Sequence, residues 1–150
     1  MNWKKGRGKL GIFDPLIGSW VVETDSDMGP VRVTRVFTKS LGGKYIELRA
    51  EWIFKNSQYE ELTLFGADRD KKLKFWSFTS DGKNSKGELA EATDIHPQAL
   101  GFEAQMPGGL ARQVYWPDSQ GGFFWIVESH TQKGWNRFVE HNYEPQEVSS

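Results

Sequence analysis

Apolar and polar residues alternate with a period of two along most of this chain. The alternation is cleanest over 44–54, where Ile46, Leu48, Ala50, Trp52 and Phe54 fall on one face and Tyr45, Glu47, Arg49 and Glu51 on the other. Residues 99–106 repeat it, with Leu100, Phe102, Ala104 and Met106 opposed to Gly101, Glu103 and Gln105. Such a period puts successive side chains on opposite sides of a strand, so each segment has one buried and one wet face. Turn-forming clusters at 25–30, 41–43, 55–57, 68–70, 80–82, 107–109, 117–119 and 132–134 separate the segments. Together they predict strands over about 19–25, 31–39, 44–54, 59–67, 72–80, 85–93, 99–106, 110–116, 122–130 and 134–143. No long crossover interrupts the series, so consecutive strands pair as an antiparallel up-and-down meander. Closing the meander removes its two sticky edges and gives an all-β barrel of about ten strands. A short helical turn is expected before the first strand, with Asp14 as its cap, Pro15 at its first position and Gly18 at its end.

At 150 residues the chain has room for one domain, which the pattern places at 14–145. Residues 1–13 form a basic, glycine-rich lead with Lys4, Lys5, Arg7 and Lys9, expected to be flexible, and 146–150 form a tail. Apolar residues make up only 37% of the chain, but seven Trp and ten Phe bring a large area to each buried position. A barrel of this size fills its interior with such rings or with a ligand. The net charge of −1 provides no field to gather nucleic acid or an anionic membrane, and neither is expected as a partner. Without Cys there is no disulfide framework and no thiolate chemistry. The longest apolar run, Phe123 to Val127, is far too short to span a bilayer, and no apolar leader opens the sequence. A cytoplasmic protein is therefore expected.

Candidate chemistry is sparse. Gly6-Arg7-Gly8-Lys9-Leu10-Gly11 matches G-x-G-x-x-G, but it lacks the preceding strand and following helix that bring phosphate to a helix N-terminus. His96, His130 and His141 have no metal-ligand spacing, and no metal site is expected. The most polar constellation lies on the last hairpin. If Thr131 faces Gly134, His130 lies opposite Trp135, Glu128 opposite Arg137 and Phe124 opposite His141, all on one face. That face is either the outer wall with a surface ion pair or an interior anchor for a ligand carboxylate or carbonyl. Burial preference favours the outer wall, because the opposite face carries Phe123, Trp125, Val127 and Phe138. Arg112 has two placements. A two-residue Pro107-Gly108 turn sets it outside, opposite Glu103. A loop that includes Gly109 turns it inward, where it needs an anionic ligand or a buried carboxylate. No two carboxylates are placed at glycosidase separation, and Ser77, Ser80, Ser119 and Ser129 lack a nucleophile-elbow context.

Leu16-Ile17-Gly18-Ser19-Trp20, then Phe65-Gly66-Ala67-Asp68, Phe75-Trp76-Ser77-Phe78-Thr79-Ser80-Asp81-Gly82 and the closing Phe138-Val139-Glu140-His141-Asn142-Tyr143 follow one another along the chain. Over roughly 13–145 the chain resembles the calycin superfamily through these segments, and within it the bacterial lipocalin-like domains of unknown function. The resemblance implies a barrel of about ten strands, with Trp20 packed at the closed end beside the helical turn. The lipocalin pattern of a late-strand arginine over the G-x-W tryptophan implies that role for Arg137. Nitrobindin-like relatives hold haem through a His near the C-terminal end, for which His141 is the nearest candidate, although it falls inside the last strand. The Arg-x-Tyr pair of fatty-acid-binding relatives is absent, since Val139 stands two places after Arg137.

The reading that results is a container, which reversibly binds a small apolar or aromatic molecule in an aromatic-lined pocket. Trp20, Trp52, Phe54, Phe75, Phe102 and Trp125 are expected to form its lining or floor, and Arg112 or Arg137 its polar anchor. Access is expected through the turns farthest from residues 14–18. No catalytic residue is assigned, and no cofactor is expected beyond the haem that His141 would hold. Two other classes share the pattern. One is an enzyme with His130, Glu128 or Glu140 as acid or base inside the barrel. The other is a solid barrel whose exposed aromatic patch joins a homodimer or another protein.

Overall fold

Ten strands close into one antiparallel barrel in the computed structural model of this chain, which describes residues 3–147. They are β1 (Gly18–Ser26), β2 (Gly29–Ser40), β3 (Tyr45–Phe54), β4 (Gln58–Ala67), β5 (Leu73–Thr79), β6 (Asn84–Ala90), β7 (Leu100–Met106), β8 (Gly109–Pro117), β9 (Phe123–Thr131) and β10 (Gly134–Pro145). Each pairs with its neighbours in sequence, and β1 closes on β10 through Trp20↔Pro145 and Val21↔Glu144. The expected up-and-down order holds throughout. The largest boundary offset is at β6, which ends at Ala90 rather than at 93. No helix among the described residues is long and apolar enough to cross a membrane.

The helical element departs from expectation. It is a 3₁₀ helix over Lys9–Leu16, with Gly8 rather than Asp14 at its N-cap and Pro15 inside it. Gly8 has φ 77°, a left-handed conformation that glycine adopts without a Cβ clash, so the helix can start there. Pro15 is tolerated near the end because its fixed φ already suits a helix. The benefit is burial: Phe13 and Leu16 are fully enclosed and plug one end of the barrel. Of the lead, residues 9–13 belong to this helix. Trp3 exchanges two hydrogen bonds with Gln98, donating its N–H to Oε1 (3.2 Å) and accepting at its carbonyl from Nε2 (3.0 Å).

Aromatic packing follows from the plug. Phe13 meets Phe65 at 4.8 Å between centroids, Phe65 meets Phe102 at 5.2 Å, and Phe123 stacks on Tyr143 at 5.1 Å. Each such ring, fully buried, contributes about 2 kcal/mol. Trp20 donates its indole N–H to the Leu16 carbonyl (2.8 Å) and sets its edge on Phe123, at the plugged end where the G-x-W resemblance implied it. A smaller core lies on the outer wall, where the 91–99 connection covers Val114 and Ile126 with Ala92 and Ile95.

One irregularity changes a face. Pairing of β9 with β10 runs His130↔Trp135 and Glu128↔Arg137 as expected, then shifts to Val127↔Val139. Phe138 is the extra residue of a β-bulge. It is 59% exposed rather than in the core, and every later residue of β10 is turned over. His141 consequently opposes Trp125, not Phe124, and is buried inside the barrel.

Candidate functional site

The barrel is filled at the helix end and hollow at the other. A cavity of about 590 Å³ opens among the β3–β4, β5–β6, β7–β8 and β9–β10 turns, the end farthest from the helix. Trp52, Phe75, Phe102 and Trp125 line it, as expected from the sequence. Trp20 lies below it in the plug, and Phe54 packs against the core without forming part of the cavity wall. Mainly apolar walls with a few convergent polar groups are the usual make-up of a small-molecule site. Here the polar wall residues include Glu61, Ser77 and Gln113.

Of the two expected arginine anchors, Arg112 borders the cavity but turns its guanidinium away from it, and Arg137 does not border it. The β7–β8 turn is the two-residue form, pairing Met106 with Gly109 and Glu103 with Arg112, which puts the Arg112 side chain on the outer wall. Its guanidinium binds Glu128 (Nε to Oε1, 2.8 Å) and Asp94 (Nη2 to Oδ2, 2.7 Å) and lies 4.2 Å from the Trp135 ring centroid. The bond from Arg112 holds the Asp94 carboxyl below its usual range. Arg137 is also outside, donating to Glu128 Oε2 (3.0 Å) and Glu140 Oε1 (2.6 Å), far from any role over Trp20. His130 sits against Trp135 on the same outer face. The three acid–base candidates are thus all on the outer wall, with both carboxylates engaged by arginine.

The arginine that does enter the barrel is Arg35. β2 turns Val31, Val33, Arg35 and Phe37 inward, and Arg35 is 0% exposed. Its Nη2 donates to the Tyr115 hydroxyl (2.7 Å), while Nε and Nη1 make no well-formed hydrogen bond, the Tyr143 hydroxyl being their nearby polar neighbour. Its guanidinium carbon lies 4.2 Å from the Trp125 centroid, 5.5 Å from Tyr115 and 5.7 Å from Tyr143. Desolvated contacts of this kind stabilise a cation by about 2 kcal/mol, but they do not replace hydrogen bonds. None of the ion pairs among the described residues includes Arg35. The inward carboxylate of the neighbourhood, Glu61, stands in the same cross-strand row, Arg35↔Ala50↔Glu61. It accepts instead from the Thr63 hydroxyl (2.7 Å).

Polar links tie Arg35 to the cavity wall. Gln113 Oε1 accepts from the Tyr115 hydroxyl (3.4 Å) and from the Trp125 indole (3.1 Å). The Trp52 indole N–H is buried with no acceptor. His141 lies 5.1 Å from Trp52 and 5.4 Å from Trp125 between centroids, with Nδ1 3.0 Å from the Tyr143 hydroxyl. Burial, and then the Arg35 charge, push His141 down to about 4, so it is neutral at pH 7. Burial raises the Tyr115 phenol and pushes Tyr143 up to about 12. Around Arg35 the aromatic groups are therefore uncharged.

His141 is not a wall residue of the cavity, and the two indoles flank its ring. The residues present do not offer an axial ligand to a haem seated there. No cluster of three or more His, Asp or Glu side chains suited to a metal occurs among the described residues. Arg35 carries a signal that sequence could have supplied, because the alternation Val31, Val33, Arg35, Phe37 assigns it to the apolar face. No protein-family model and no curated protein matches this chain.

Proposed function

We propose that the protein reversibly binds a small, largely apolar or aromatic molecule inside the barrel, as a container of the calycin type. The observation that carries this reading is the cavity of about 590 Å³, open at one end and walled by Trp52, Phe75, Phe102 and Trp125. A barrel kept only for rigidity gains from filling such a space, since each unfilled volume forfeits packing contacts. The G-x-W turn, with Trp20 docked on the helix, supports the calycin affiliation. The acid–base candidates on the outer wall lend no support to an enzyme inside the barrel.

The test uses a neutral solvatochromic naphthalene, 6-propionyl-2-dimethylaminonaphthalene, titrated into the full chain. We expect a saturable blue shift with a Kd on the order of micromolar. Ala111 lines the cavity and is partly exposed, so Ala111→Trp fills the space without crowding the plugged core. That variant should keep its melting temperature and weaken binding at least about tenfold. No saturable binding by the unaltered protein, or equal binding by the variant, would overturn the reading.

A further inference from the structure

We propose that the molecule held in this cavity carries a single carboxylate and that Arg35 is its anchor, an inference that rests on the container reading above. Among the described residues, the buried polar side-chain atoms left without a partner are Arg35 Nε, Arg35 Nη1 and Trp52 Nε1. All three are N–H donors. Nε and Nη1 lie on opposite sides of the guanidinium, and either one with the second N–H of Nη2 makes a two-donor fork complementary to a planar group with two acceptor oxygens and a negative charge.

The three donors belong to one locality. Arg35 pairs with Ala50, and Trp52 is the next inward residue of β3. Trp125 bridges them, 4.2 Å from the guanidinium carbon and 6.3 Å from Trp52 between centroids. Ala50, the smallest inward residue of its strand, stands between Arg35 and Glu61 in this row. Those two residues form no ion pair, although the Glu61 charge is near enough to favour the charged guanidinium. Glu61 also disfavours a second negative charge on the ligand, which limits the head group to a monoanion.

The wall also indicates the route. Trp125 covers the guanidinium and is pinned by its bond to Gln113 (3.1 Å), whereas no hydrogen bond holds the Trp52 indole. Arg35 is not itself a wall residue of the cavity, so the carboxylate reaches the guanidinium only as the Trp52 ring, which no hydrogen bond holds, swings aside, and the apolar body of the ligand rests against Phe75 and Phe102. Trp52→Phe, which removes the unbound N–H but keeps a ring, should weaken acid binding by less than loss of Arg35 does.

Two matched pairs test this by calorimetry on the full chain at pH 7.5: 2-naphthylacetate against 2-naphthylacetamide, and decanoate against decanamide. Each pair keeps its shape and changes only the charge. We expect at least one acid to bind about 30-fold more tightly than its amide. The preference should fall below about threefold in Arg35→Met and be intermediate in Arg35→Lys, which keeps the charge without the fork. Equal binding of acids and amides by the unaltered protein would overturn the carboxylate and leave the container reading standing. Binding of neither member of either pair would overturn both. A preference that survives in folded Arg35→Met would remove Arg35 as the anchor. The comparison within the unaltered protein decides the ligand class even where a variant fails to fold.

Discussion

His141 shows how strongly this interior acts on one side chain. Its ordinary value of 6.5 falls to about 4 because the charged ring would lie buried among indoles and close to Arg35. Between those two values the unfolded chain takes up a proton that the native protein refuses. Stability is therefore complete above pH 6.5, falls as pH drops toward 4 and levels off for this group below that. The total is about 3 kcal/mol, at 1.36 kcal/mol per pH unit. The groups facing His141 are Arg35, Tyr143, Trp52 and Trp125, and none of them titrates in this window. Asp94, whose carboxyl is held low, loses its contribution only below its ordinary 3.8. Urea unfolding at pH 7.5 and 4.5 should show the loss in the native sequence and a much smaller one in His141→Gln. Equal losses in both would assign the acid sensitivity elsewhere.

Elements explain what was legible in the sequence. Strand number and order could be read because alternation of period two fixes the faces and the turn clusters fix the ends. Four of the cavity walls, Trp52, Phe75, Phe102 and Trp125, followed from those faces. The β10 bulge was not legible, since nothing in Phe138-Val139 distinguishes an extra residue from a regular one, and one unmarked insertion turned His141 inward. Arg35 is hidden for another reason: a lone charge on an apolar face is costly, and no hairpin turn fixes a partner for it as turns do for Arg112 and Arg137. The same hairpins built the outer clasp, in which Glu128, 5% exposed, accepts from both Arg112 and Arg137. Removing it with Glu128→Ala leaves Arg112 buried against Asp94 alone and should cost about 3 kcal/mol in urea unfolding. Arg137→Ala removes a more exposed partner and should cost less than about 1 kcal/mol. Similar losses for the two would mean that the clasp is not centred on Glu128.

Across the whole molecule the barrel is sealed unevenly: β1–β10 pairs at two positions and β6–β7 at three, and it is the β6–β7 seam that borders the cavity. β6 and β7 pair at only three positions, Glu88↔Glu103, Leu89↔Phe102 and Ala90↔Gly101. Toward the mouth, residues 84–87 and 104–106 have no partners across this seam, although each still pairs on its other side. Ser85 and Met106 flank the gap and line the cavity. A second recess, lined by Trp76, Phe78 and Lys86 among others, shares these two residues, so the seam is hollow on both sides. Local opening follows missing backbone bonds and sparse packing, and the β6–β7 gap gives a ligand a place beside the cavity where the wall can yield. Hydrogen exchange should find 84–87 exchanging at least about tenfold faster than 46–50 in the fully paired β3. Saturation with a cavity ligand should slow exchange at 84–87 more than at the β2–β3 turn, which lies at the plugged end. If 84–87 is as protected as β3 in the free protein, the seam is closed and ligands enter only through the mouth.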